Sequence, residues 1–341
     1  MNKLNQASTF ANKAHEAYIN GGADNEETLR LNETRLRSVK IVPRVLRGTE
    51  DFNCQSSDQI SVQCNPLMIG PSAFHQLAST EGEIATAHAA NITNTPYIVS
   101  CTSSVQPQLI NSTLREDLYW QQLYLYDDKR LTELFLNHAI KHGARALVVT
   151  VGSPIAGKRT SALKAGWKIS KDMIAVFDQY KNLSIEDLLR KMEKRNANWS
   201  DVAWLRSKTD KPIVLKGILD IDDAKKAIDF GCSGIVVTNH GGRQMDGLVT
   251  PYDVLEEIRD VVQNQLSIYV GDGIRTGLDI LKALSLGADR VLIGRPVFWM
   301  LNEGGADKLI SYINGTVDDL KRLMILSGCN NIDDIQNLKT K

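Results

Sequence analysis

The sequence predicts a (β/α)₈ barrel, on three observations. Eight short apolar runs of strand length recur along it. Several of these are apolar almost throughout, as suits parallel strands buried on both faces. Amphipathic helical stretches with start and stop signals lie between them. A doubly wound open sheet is the structural alternative, but it rarely carries eight such regular units.

Taken in order, residues 1–64 form an N-terminal extension, with helices expected over Gln6–Asn20 and Glu26–Leu31 and then an irregular stretch. The barrel is expected over 65–325. Its first four strands are Asn65–Gly70, Thr95–Ser100, Trp120–Tyr126 and Arg145–Val151. The second four are Lys211–Gly217, Ser233–Asn239, Leu266–Asp272 and Asp289–Arg295. Leu131–His142 reads as a helix closed by Gly143. Asp220 caps a helix ending at Gly231, and Thr276 opens one ending at Gly287. Thr250, with Pro251 at the first helical position and Asp253 three residues after the cap, opens another. The segment 155–198 between strands four and five is long for such a connection and contains a capped helix, Ser184–Lys194. It emerges on the active-site face of a barrel and reads as a lid. The whole of 1–341 is expected to be one domain.

With 40 Lys+Arg against 40 Asp+Glu, the net charge is zero, which removes the attraction on which most nucleic-acid and anionic-membrane binders rely. No apolar run reaches membrane-spanning length. The N-terminus (MNKLNQASTFANKAHEAY) lacks the apolar core of a secretory signal, and the C-terminus is not of the Ser-Lys-Leu type, so a cytoplasmic location is expected. Cys54, Cys64, Cys101, Cys232 and Cys329 show neither a CxxC pair nor zinc-ligand spacing, and read as reduced, mostly buried thiols.

In a barrel of this kind the site is built at the C-terminal strand ends, and here each ends in something polar. Ser100 closes strand two, Gln122 and Tyr124 lie on strand three, Thr150 closes strand four and strand five delivers Lys216. Strand six runs into Thr238-Asn239-His240-Gly241-Gly242-Arg243. Strands seven and eight end in Gly271-Asp272-Gly273, with Arg275 beyond, and in Gly294-Arg295. Two glycine clusters, each with an arginine and a following helix, make a phosphate site. Lys216 in the barrel mouth must neutralise something, and a buried salt bridge is the bland account of it. His240 and Arg243 supply a base and a carboxylate clamp. The other histidines, His15, His75, His88, His138 and His142, read as structural.

The segments TNHGGRQMDG (238–247) and GDGIRTGLDILKALSLGADRVLIGRP (271–296) strongly resemble the FMN-dependent 2-hydroxy-acid oxidase/dehydrogenase family, which includes glycolate oxidase, lactate oxidase, mandelate dehydrogenase and flavocytochrome b2. The resemblance runs from about Tyr18 to Cys329 and includes PLMIGPSAF, EGEIATAHAA, QLYLY and DVAWL. It implies oxidation of an (S)-2-hydroxy acid or related carboxylate at the α-carbon, with electrons passing to FMN and on to O2 or another acceptor. Gly273, Arg275, Gly294 and Arg295 would hold the phosphate, with Asp272 near the ribityl chain. Pro71, Ser72, Ala73, Ser100, Gln122, Thr150, Lys216 and Thr238 would surround the rest of the flavin. Lys216 would face the edge where reduced flavin carries negative charge. Arg243, with Arg159, Tyr18 and Tyr124, would bind substrate, and His240 would take the proton. No metal is implied. Relatives of this kind are usually homotetramers.

Three departures stand beside the matches. Strand four ends Thr150-Val151-Gly152 where the resembled enzymes have an aspartate that pairs with the histidine, and no neighbour evidently replaces it. The loop after strand two, SCTSSV, is about two residues shorter and lacks the usual aromatic residue. Strand seven reads Gly-Asp-Gly instead of Asp-Gly-Gly. Because two of these remove side chains on the substrate side, a pocket enlarged at Gly152 and after Ser100 is expected, for a bulkier or amine-type substrate of specialised biosynthesis. A slow ordinary oxidase and an FMN-binding protein with lost or weak catalysis are the alternatives. A flavin-free barrel isomerase or synthase would be colourless.

Overall fold

The structure is a computed structural model and describes residues 9–48, 52–61, 63–170, 173–174, 184, 186–187 and 194–341. Eight parallel strands close into a barrel in sequence order: β1 (Leu67–Ile69), β2 (Tyr97–Val99), β3 (Tyr119–Tyr124), β4 (Leu147–Thr150), β5 (Ile213–Ile218), β6 (Gly234–Val237), β7 (Ser267–Val270) and β8 (Arg290–Ile293). β8 returns to β1, pairing Val291 with Leu67 and Ile293 with Ile69. All eight expected runs are strands, each trimmed at one or both ends where the chain turns out of the ladder. The register slips between Lys216 and Ile218, so β5 carries a bulge at Gly217.

Inward-facing side chains alternate along each strand, and this builds the barrel in storeys. The lower storey is apolar: Met68, Ile98, Trp120, Val148, Val214, Val236, Tyr269 and Leu292 pack together, with Ile60 closing the base. Trp120 meets Tyr269 edge-on at 5.6 Å between ring centres. Arg290 lies below, fully buried, and is paired with Asp58 at 2.8 Å. Two residues further along, the inward position turns polar on five strands and is glycine on the other three, and that storey is the floor of the site.

The helical signals hold where a cap residue marks them. Asp220 accepts from the main-chain N–H of Asp222 and Asp223 at the start of Ile221–Asp229. Asp253 reaches back to the Thr250 N–H ahead of Pro251–Val262. Thr276 accepts from the Asp279 N–H ahead of Gly277–Ser285. In the N-terminal extension two expectations are corrected. Helix α1 spans Lys13–Asn20, because Asn12 caps it by accepting from the N–H of Ala14 and His15. Helix α2 runs Glu27–Ser38, beyond the expected end at Leu31, because Leu36 and Asn32 are buried on its inner face. The long segment Arg295–Ser327 is helical with a kink at Gly304–Gly305, and Gly294 stands at its N-terminus. A two-stranded pair, Ile41–Val42 with Lys339–Thr340, ties the extension to the C-terminus. The expected helix Ser184–Lys194 falls mostly outside the described residues.

Candidate active site

One cavity of about 370 Å³ opens at the C-terminal strand ends. Its floor follows from the two-residue period: Ile98 leads to Ser100, Trp120 to Gln122 and then Tyr124, Val148 to Thr150, Val214 to Lys216, and Val236 to Thr238. Gly70, Gly271 and Gly294 continue this storey, where the absence of side chains leaves room for a ligand. Every residue assigned to the site from sequence lines the cavity: Tyr18, Pro71, Ser72, Ala73, Ser100, Gln122, Tyr124, Thr150, Arg159, Lys216, Thr238, His240, Arg243, Asp272, Gly273, Arg275, Gly294 and Arg295.

The side chains of the floor are hydrogen-bonded to one another and to main chain. Gln122 donates from Nε2 to Thr150 Oγ1 at 3.1 Å and accepts at Oε1 from the Cys101 N–H at 3.1 Å. Asp272 accepts from Thr238 Oγ1 at 2.7 Å and from the Asn239 N–H at 2.8 Å, so the displaced carboxylate of strand seven secures the turn before His240. The run His240-Gly241-Gly242 has φ of 62°, 69° and 67°. Two glycines make that left-handed stretch accessible, and the strain concentrates on His240. Asn239 locks the turn by exchanging reciprocal amide hydrogen bonds with Asn32 of α2, at 2.7 and 2.9 Å.

Electrostatically the cavity is lopsided. Arg159, Lys216, Arg243, Arg275 and Arg295 line it, against Asp272 as the one carboxylate among its described lining residues. Lys216 is buried and has no ion-pair partner among the described residues, so the salt-bridge account of it fails. Burial pulls its ammonium below the ordinary lysine range, with the Asp272 charge opposing. Burial, then the charges of Lys216, Arg159, Arg243 and Arg295, holds the His240 imidazole well below its usual value. Burial and Arg159 bring Arg243 down to about 10. Arg159 Nε is buried with no hydrogen-bond partner among the described residues. Such a cavity is built for anions.

The arginines also bind the extension. Arg243 Nη1 donates to the carbonyls of Tyr18 at 2.7 Å and Gly21 at 2.9 Å. Arg295 donates to those of Ile19, Gly21 and Gly241 at 3.0–3.1 Å. Both therefore cap the C-terminal carbonyls of α1. Arg275 pairs with Glu33 at 3.2 Å. The Arg275 and Arg295 guanidiniums thus hold the extension against the strand ends as well as lining the cavity. The Tyr18 ring stacks on Trp167 at 4.2 Å and lies 5.0 Å from the Arg243 guanidinium.

Two expectations are corrected at strand four. Gly152 does not enlarge the pocket: it is not among the lining residues, and a Cβ there would sit 3.0 Å from the Gly217 Cα. The bulge in β5 already fills that space with backbone. Nor is the histidine left without a partner, because Ser153 Oγ lies 2.8 Å from His240 Nδ1. Ser153 went unnoticed in the sequence although it is the next residue along, since its contact depends on how the strand end turns. Also missed was the apolar wall of Phe74, Ile155, Ile169 and Ile174. Cys101 lies behind the floor, its thiol 3.1 Å from the Tyr126 hydroxyl. All five cysteines are free and buried.

A buried ammonium with no ion pair among the described residues, in one cavity with glycine turns of which Gly294 stands at a helix N-terminus, fits a flavin with its phosphate. The family model described as FMN-dependent dehydrogenase matches residues 7–340. The chain is 34% identical over 325 residues to a 2-hydroxyacid oxidase of Dictyostelium discoideum, covering 94% of this chain and 84% of that protein. It is 36% identical over 335 residues to an L-lactate oxidase of Nostoc sp., covering 94% and 92%. A crystal structure of mandelate oxidase superposes with a TM-score of 0.89 at 35% identity, covering 96% of this chain and 94% of that one. The chain belongs to the FMN-dependent dehydrogenase family, as an FMN-dependent oxidoreductase that oxidises a 2-hydroxy acid.

Proposed function

We propose that the substrate is a 2-hydroxy acid with an apolar side chain larger than that of lactate, and that His240, Arg243 and Arg159 carry its recognition. The observation behind this reading is the grouping of the His240 imidazole with the half-buried guanidiniums of Arg243 and Arg159, the second holding a buried, unpartnered Nε among the described residues, in a cavity also lined by Phe74, Ile155, Ile169 and Ile174. The carboxylate pairs with Arg243 and Arg159, and Tyr124 hydrogen-bonds the hydroxyl side. His240 takes a proton from the substrate at Nε2. FMN, when bound, supplies the two-electron acceptor. Lys216 supplies positive charge at the floor, and the main-chain N–H groups of Gly273 and Gly294–Arg295 meet the phosphate.

Segment 155–198 acts as a lid, its Arg159 bringing charge and its isoleucines excluding water. The terminal acceptor is O2 or another oxidant, the named oxidases among the matches favouring O2. Assembly as a homotetramer follows the resemblance, and five free, buried cysteines suit a reducing, cytoplasmic setting.

Anaerobic flavin absorbance tests the reading, with glycolate, lactate, mandelate, 2-hydroxyoctanoate and the matching 2-amino acids added in turn. Bleaching fastest with the larger hydroxy acids is expected. Glycolate or lactate as best substrate would overturn the size assignment, and bleaching by an amino acid alone would overturn the hydroxy-acid one.

A further inference from the structure

We propose that Ser153 is the positioning residue of His240, orienting the imidazole through Nδ1 while supplying no counter-charge. The inference rests on His240 being the base. Ser153 Oγ lies 2.8 Å from Nδ1. When the hydroxyl accepts a hydrogen bond from Nδ1–H, the Nε2 lone pair is left for the substrate, which is the tautomer a base requires.

The backbone explains why residue 153 does this. At the end of β4 the N–H groups of Val151 and Gly152 both donate to the Lys216 carbonyl, at 2.9 and 3.2 Å. That contact brings the chain against the β5 bulge so closely that a Cβ on Gly217 would lie 2.6 Å from Gly152 Cα. Position 152 is tight for a side chain, whose Cβ would meet the Gly217 Cα at 3.0 Å, and the first side chain past the bulge is Ser153. Its segment is then fastened to the turn that carries His240. The Gly157 N–H donates to Gln244 Oε1 at 3.2 Å, and Gln244 Nε2 donates to the Ile155 carbonyl at 2.9 Å. Gln244, the last member of the His-Gly-Gly-Arg-Gln motif, thereby holds the two segments in register.

The surroundings make the missing charge matter. The imidazole is faced by Lys216 from β5, Arg159 from the lid, Arg243 from its own turn and Arg295 from the end of β8. Tyr124 and Tyr18 line the same cavity, and Asp272 is engaged by Thr238 and Asn239. A hydroxyl fixes the ring among these cations without compensating the proton it gains in turnover. A carboxylate at 153 would do both.

The experiment uses holoenzyme of the wild type and of Ser153→Ala, Ser153→Thr and Ser153→Asp, each checked for retained flavin absorbance. Anaerobic reduction by the best 2-hydroxy acid is followed from pH 5 to 9. The imidazole tautomer is read by 15N-histidine NMR, with His240→Asn assigning the signal. Ser153→Ala should slow limiting reduction roughly tenfold or more with substrate affinity little changed, and should lose the Nδ1–H signature. Ser153→Thr should keep both, and Ser153→Asp should move the acid limb of the rate profile to higher pH. Ser153→Ala reducing at the wild-type rate with an unchanged tautomer would overturn the proposal. If no 2-hydroxy acid reduces the wild type, the reading of His240 as a base fails. The NMR comparison then still decides whether Ser153 orients the ring.

Discussion

In the role proposed for it, His240 accepts a proton in a place that repels protons. Burial and four surrounding cations depress its pKa. In the free holoenzyme it therefore stays neutral through the physiological range, and kcat/KM for flavin reduction should show no acid limb above about pH 6.5. A limb at pH 7 or higher would mean that an unseen carboxylate reaches the ring. Replacing His240 by Asn should lower the reduction rate by about 10²–10⁴, with flavin retained. Lys216→Met should slow reduction by about 10²–10³ and weaken FMN binding, because it removes the ammonium from the floor. Gly152→Asp, the obvious way to install the expected carboxylate, is a poor repair. Its Cβ would need the Gly217 backbone to give by a few tenths of an ångström. Overpacking of this kind costs about 1–3 kcal/mol, so a lower melting temperature should accompany any gain in rate.

At the scale of elements, the extension and the barrel share their arginines. The carbonyls at the end of α1 are capped by Arg243 and Arg295, which also line the cavity. Arg295→Lys keeps the charge but loses the planar fork that serves Ile19, Gly21 and Gly241 together. This variant should raise KM for substrate severalfold and make the segment around α1 cleave faster in limited proteolysis. Unchanged proteolysis would show that α1 is held by packing alone. The elements themselves were legible where a local signal exists: Asp220, Thr250 and Thr276 mark three helix starts, and period and apolarity mark eight strands. The end of α2 was not legible. Its last turns carry Arg35 and Arg37 outward, and only contact with the barrel reveals that Leu36 is core.

For the molecule as a whole, ligand and fold are coupled. Five cations around one cavity repel one another until anions enter it, so FMN binding should raise the melting temperature in a concentration-dependent way. Added sulfate should do part of the same. Acid should work in the opposite sense. His75 and His240 are held below their usual values by burial, and His138 is brought down to about 4. Below about pH 6.5 the unfolded chain binds protons that the native state refuses, so stability falls as pH falls. Urea midpoints of the holoenzyme between pH 7 and 5 would check the sign.

The sequence by itself determined the barrel and the polar residues that stand above its apolar lower storey at the strand ends. These are set by neighbours along one strand: a two-residue period places Lys216 above Val214 and Thr150 above Val148 wherever the strand lies. The tertiary structure alone decided who partners whom. Ser153 meets His240 across 87 positions, and Arg243 meets the Tyr18 carbonyl across 225. Such pairings depend on the curvature of the closed sheet, the bulge at Gly217 and the way α1 abuts the strand ends. Those are properties of packing between distant segments, and no local pattern of residues records them.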